Sequence, residues 1–177
     1  ANAGPGYHQE TSPGVEWGAG WQNAIQQDAS GGASALSEEP GATLTLSFEG
    51  DGVTLVALQD SRSGILLATL DGKRVPGLPV DEEGNSYVDL YSPSVQWQAE
   101  IPIVSGLGDG QHVLRLTVSE KTNPESRGRR CAVDAFVVAA PAPPAFPILQ
   151  VLAFGGVAVF SGWSLVRESR RSARPSA

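Results

Sequence analysis

Methionine is absent from this 177-residue sequence, cysteine occurs once, histidine twice, and aromatic residues make up only 7%. Each scarcity removes a class of function. A single cysteine, Cys131, excludes an internal disulfide, so the chain must hold together by its core. In its strand-like surroundings Cys131 reads as a small buried hydrophobe. With only His8 and His112, far apart, and no second cysteine or nucleotide fingerprint, no metal or other cofactor is expected. Basic residues are also few: residues 1 to 144 carry 18 acids against 8 bases, a net of −10, and the remainder carries +3, giving −7 in all. Phosphate binding needs a basic surface, so nucleic acid is excluded as the expected partner. The missing methionine, with small residues at Ala1-Asn2-Ala3, reads as the trace of a removed signal segment.

Charge is missing from one long stretch as well. No Asp, Glu, Lys or Arg occurs between Asp134 and Arg167, and Phe146 to Val166 is almost wholly apolar. About twenty helical residues cross a hydrocarbon core of roughly 30 Å, which this run matches. Arg167, Arg170, Arg171 and Arg174 follow with one acid, Glu168. By the positive-inside bias that tail is cytoplasmic and the preceding residues extracytoplasmic, at the periplasm or cell surface. The expected divisions are a loose N-terminus over 1–6, a β domain over 7–139, a Pro/Ala-rich linker over 140–145, a single-pass transmembrane α-helix over 146–166 and a basic tail over 167–177. Within the helix, Gly155, Ala158 and Gly162 share one face and leave a groove for another helix.

The domain before the linker reads as all-β. Thr43 to Phe48 alternates polar and apolar side chains, placing Leu44, Leu46 and Phe48 on one face; Gly50-Asp51-Gly52 reads as a hairpin turn into Val53 to Leu58. Ile65 to Leu70 ends at Asp71-Gly72, a strong two-residue turn signal before Lys73 to Val75. Tyr87 to Tyr91, Val95 to Ile103, His112 to Val118 and Arg130 to Val138 complete the strands. Gln22 to Ser30 is open to a short turn of helix. Strands at this spacing predict a two-sheet sandwich, with Trp21 and Phe48 large enough to fill the space between sheets.

Trp17…Trp21, Gly41 to Val53, Gly64…Ala68-Thr69-Leu70-Asp71-Gly72, Leu107 to Leu116 and Ala132-Val133-Asp134-Ala135-Phe136-Val137-Val138 together resemble galactose-binding-like jelly rolls. Such domains are similar to carbohydrate-binding modules. The resemblance covers about residues 7 to 139 and consists of framework: an aromatic strand, an Asp-Gly turn, a Gly-x-His lead into a strand and a closing Val-Asp-Ala strand. It speaks for fold more than for ligand. His112 is expected to pin its turn through backbone contacts, Asp71 to belong to its own turn, and Asp134 to brace a neighbouring loop.

An enzyme needs a nucleophile with its base, a carboxylate pair or a metal set, and nothing in the sequence marks one, so no catalysis is expected. Two functions remain. The first expectation is a non-catalytic accessory subunit of a larger membrane complex, its helix meeting integral membrane partners and lipid through Gly155, Ala158 and Gly162 while the jelly roll docks outside. The alternative is a membrane-anchored module that binds cell-surface glycan. The resemblance raises this reading, and because sugars are held by exposed aromatic rings and nearby amides and carboxylates, Tyr87, Asp89, Tyr91 and Trp97, with Gln96 and Gln98, offer the needed mixture.

Overall fold

In the computed structural model, residues 1–141 are described. They form two antiparallel sheets, in keeping with the all-β expectation. The transmembrane span, the Gly155/Ala158/Gly162 face, the basic tail and residues 142–145 of the linker lie outside the described residues. Among the described residues no helix is long and apolar enough to cross a membrane.

Twelve strands are numbered in chain order: β1 Gly6–Gln9, β2 Val15–Trp17, β3 Gln22–Ile25, β4 Ala33–Ser37, β5 Thr43–Glu49, β6 Gly52–Gln59, β7 Ile65–Leu70, β8 Lys73–Arg74, β9 Ser86–Asp89, β10 Gln96–Val104, β11 Gln111–Val118 and β12 Cys131–Ala139. The first sheet runs β2-β5-β11-β7, with β8 and β9 both on the far side of β7. The second runs β10-β6-β12-β4-β3, and β1 lies beside the later half of β12. Period-two patterning produces the core. Leu44, Leu46 and Phe48 of β5 meet Leu114 and Leu116 of β11 and Leu66 of β7, all with no exposed surface. In the second sheet, Val53, Leu55 and Ala57 of β6 lie beside Val138, Phe136 and Val133 of β12 and supply the other side of the core. Each such Val, Leu or Phe side chain contributes about 1.5–3 kcal/mol by leaving water. The phase slip from Val133 to Phe136 is a β-bulge, and Asp134 is the residue it turns aside.

The sequence expectation fails at one corner. β5 and β6 belong to different sheets, so Gly50-Asp51-Gly52 forms no hairpin. The glycines serve close approach instead. A Cβ on Gly50 would lie 2.5 Å from the Ala139 carbonyl oxygen, and one on Gly52 would lie 2.4 Å from that of Val104. Asp51 fastens the corner, its carboxylate accepting from the amides of Gly106 at 3.2 Å and Gly108 at 2.7 Å. Asp71-Gly72 does form the expected hairpin turn, with both residues at positive φ and Leu70 paired to Lys73.

Two further differences concern the first forty residues. Residues 22–30 make no helical turn: Gln22–Ile25 is a strand paired to β4, followed by a 3-10 turn at Ser30–Gly32. Pairing overrides local propensity here, and Ser34 fixes the return by donating to Gln26. The loose start expected over 1–6 is tied down at Ala3, which is buried and exchanges backbone hydrogen bonds with Ser47 and Glu49 at 2.9 and 2.8 Å.

Candidate functional site

The four sequence-selected ligand residues are divided between the sheets. Tyr87 and Asp89 lie on β9 of the first sheet, Trp97 on β10 of the second, and Tyr91 on the connection between them. Tyr87 is half-buried, its amide held by the Pro79 carbonyl at 3.0 Å. Asp89 is engaged internally: one carboxylate oxygen accepts from the Tyr91 amide at 2.9 Å and the other from the Asn123 side chain at 2.6 Å. It braces loops and presents little to a ligand.

Tyr91 and Trp97 flank the end of β6. Tyr91 bridges to Asp60, and Gln96, next to Trp97, pairs with Gln59. The Tyr91 hydroxyl meets the Glu125 carboxylate, which with burial raises its pKa above the ordinary tyrosine value. Trp97 is 36% exposed, far more than a core tryptophan such as Trp21 at 8%. The register of β10 against β6 breaks between Gln96 and Ala99, and Gln98 adopts φ 51. A non-glycine residue in that region is strained, and a bulge on an edge strand turns its side chains to new directions. Gln98 is held there by donating to the Asp28 carbonyl at 3.0 Å.

Asp60, beneath this end of β6, anchors the neighbouring loops. Burial pushes its carboxyl up, but the Arg62 amide, the Ser63 hydroxyl and the Arg130 guanidinium outweigh that and hold it below the usual carboxylate range. Arg130 forms an ion pair with it.

A second polar group was not anticipated from the sequence as a set. Asp134, turned aside by the bulge in β12, accepts from the Ser30 amide at 2.8 Å, which meets the expectation that it braces a loop. Its other oxygen is buried without a partner. Glu10, equally buried, donates its amide to the Asp134 carbonyl at 3.1 Å. Burial raises both carboxyls, and the Asp134 charge raises Glu10 further. Tyr7 stands nearby, 48% exposed, its hydroxyl raised first by burial and coupled to Ser30. This corner is suited to holding a proton. Among the described residues no group of three His, Cys, Asp or Glu could hold a metal ion. The missed signal was β1, whose Tyr-His-Gln lacks apolar alternation.

His112 differs in detail from its expected backbone role. Its Nδ1 lies 2.9 Å from the Asp71 carboxylate, whose other oxygen accepts from the Val113 amide at 2.8 Å. The ring lies on Phe48 at a centroid distance of 5.5 Å. Cys131 is fully buried as expected, and burial pushes its thiol up to about 12.

No family model matches this chain, and no curated protein matches it either. Solved structures do. A two-domain esterase active on acetylated mannans, co-crystallized with mannopentaose, matches with TM-score 0.54 at 13% identity over 78% of this chain and 37% of its own. A xanthan lyase from Paenibacillus matches with TM-score 0.52 at 18% identity over 71% of this chain and 12% of its own. A family 35 carbohydrate binding module from Clostridium thermocellum aligns over 76% of this chain and 98% of its own, with TM-score 0.40 and 12% identity. The first two likenesses place the described residues in a shared β-sandwich fold.

Proposed function

We propose that the β domain is a non-catalytic polysaccharide-binding module whose contact surface is the end of β6 flanked by Trp97 and Tyr91. The observation that carries this reading is the strained bulge that leaves Trp97 on the surface. An indole outside the core loses its apolar burial and needs a reason to be there. The apolar C–H face of a pyranose ring is a fitting partner, and the same end of β6 carries polar groups that could exchange bonds with its hydroxyls, Gln96, which donates to Ser92 at 3.0 Å, and Tyr91. The same fold occurs in proteins whose names state action on mannans and xanthan, which is consistent with this assignment. The docking-subunit reading drew on Gly155, Ala158 and Gly162, outside the described residues, and no described feature favours it.

Titration of the intact chain in detergent with glucomannan, xylan and polygalacturonate, followed by tryptophan fluorescence, tests the proposal. At least one polymer should give a saturable response, and Trp97→Ala should weaken it by about tenfold or more, the loss of one stacked ring. A flat response to all three polymers, or an undiminished one in the variant, would remove the reading. The same proposal keeps the domain on the outer face of a membrane by the apolar run 146–166. Alkaline carbonate extraction of the chain from vesicles would argue against that placement.

A further inference from the structure

Cations are rare in this domain, yet five of the eight among residues 1 to 144 lie in two adjoining loops: Arg62 between β6 and β7, and Lys121, Arg127, Arg129 and Arg130 between β11 and β12. The backbone forces these loops together. The Arg127 amide donates to Ser61 at 2.9 Å and the Arg130 amide to Arg62 at 3.0 Å. At Gly128 an added Cβ would lie 2.8 Å from the Arg62 carbonyl oxygen and 3.4 Å from the Arg62 Cβ. Arg62 therefore stands directly over the chain between Arg127 and Arg129.

Internal partners occupy three of the five. Arg130 pairs with Asp60, Lys121 with Glu83, and Arg129 donates to the Glu120 carbonyl at 2.8 Å. Arg62 and Arg127 are exposed, and neither has an ion-pair partner among the described residues. Tyr91 lies beside them: it bridges to Asp60, two residues before Arg62, and its hydroxyl feels the charge of Arg127. Arginines carried on adjoining backbone segments attract an anion, and a planar carboxylate fits the guanidinium fork.

We infer that Arg62 and Arg127 form a carboxylate-binding subsite beside Tyr91, so that the ligand is an acidic polysaccharide with carboxylates on its sugar rings. This rests on the polysaccharide-binding reading above and specifies the ligand's charge. The ring would lie on the aromatic flank and its carboxylate on the arginine pair. Neutral polymers use only the first contact. Attraction of this kind also weakens as salt rises.

The test compares polygalacturonate with its fully methyl-esterified form, which has the same backbone without the charges, using the intact chain. Polygalacturonate should bind about tenfold more tightly or better, as expected for charge-assisted bonds to arginine. The Arg62→Gln/Arg127→Gln variant should lose that advantage while its affinity for the ester is unchanged. Lys73→Gln/Arg74→Gln, which removes two cations on β8, should retain it. Equal binding of acid and ester, or full retention by the arginine variant, would overturn this inference and leave the Trp97 contact standing. A Trp97-dependent preference for neutral polymers would do the same. Failure of every polymer to bind would overturn both proposals. Arginine-dependent capture by phosphatidylglycerol vesicles, with no preference for the acidic polymer, would assign the pair to lipid and overturn the subsite.

Discussion

Glu10 and Asp134 are acids placed where ionisation is unfavourable, one in the turn just past β1 and the other in a bulge. Their folded pKa values lie above the ordinary carboxylate value, by burial first and by each other's company in the case of Glu10. Such a group contributes stability that is fully present below its unfolded pKa and lost as pH rises through the folded one. Glu10→Gln should therefore raise Tm at pH 7 by roughly 2–4 °C, the shift that about 1 kcal/mol makes in a chain of this size, and change little at pH 4. Calorimetry of both proteins at the two pH values checks this. Cys131 makes an independent probe. Its neutral, enclosed thiol should resist iodoacetamide at pH 8 in the native protein and react promptly in urea, so rapid native labelling would contradict the burial described.

Strand pairings show which signals in a sequence carry structure. Asp71-Gly72 was legible because a two-residue turn demands positive φ at both positions, and few residue pairs supply it. Gly50-Asp51-Gly52 looks similar in composition but answers a different need, room for a passing backbone, which sequence does not distinguish from a turn. β1 to β4 were largely illegible because they are short and lack clear apolar alternation, and β1, β2 and β4 are fixed by partners farther along the chain. The proposed contact surface was half legible. Tyr91 and Trp97 are recognisable as aromatics in a polar setting, whereas the engagement of Asp89 by Asn123 depends on a loop thirty-four residues away. At this scale Asp71→Ala is the informative change, since it removes acceptors for both His112 and Val113. It should cost about 1–2 kcal/mol, read as a lower urea midpoint with unchanged slope.

For the molecule as a whole, titrating groups pull stability in opposite directions. Asp60 is held low by its partners against burial, and Asp71 by the hydrogen bond from His112; their contributions are present above the unfolded pKa and lost as pH falls through the folded one. Glu10 and Asp134 act with the opposite sign toward neutrality. The urea midpoint should accordingly peak at mildly acidic pH, at about 5, fall steeply toward pH 3 and decline gently toward 7. A midpoint rising monotonically to pH 7 would show that the buried acids ionise without penalty.

The corner at Gly50 to Gly52 has a temporal meaning too. Because β5 turns away from β6, its neighbours are β2 on one side and, on the other, β11 some sixty residues later, and the second sheet lacks its centre until β12 arrives. A nascent chain halted before Cys131 would hold β2-β5-β11-β7, β3-β4 and β6-β10 but no strand to join β6 to β4, so the second sheet is completed only after its last strand has left the ribosome. Loop closure over such separations makes slow, all-or-none assembly the natural course. Shortening by that one strand should abolish the native state and not trim it.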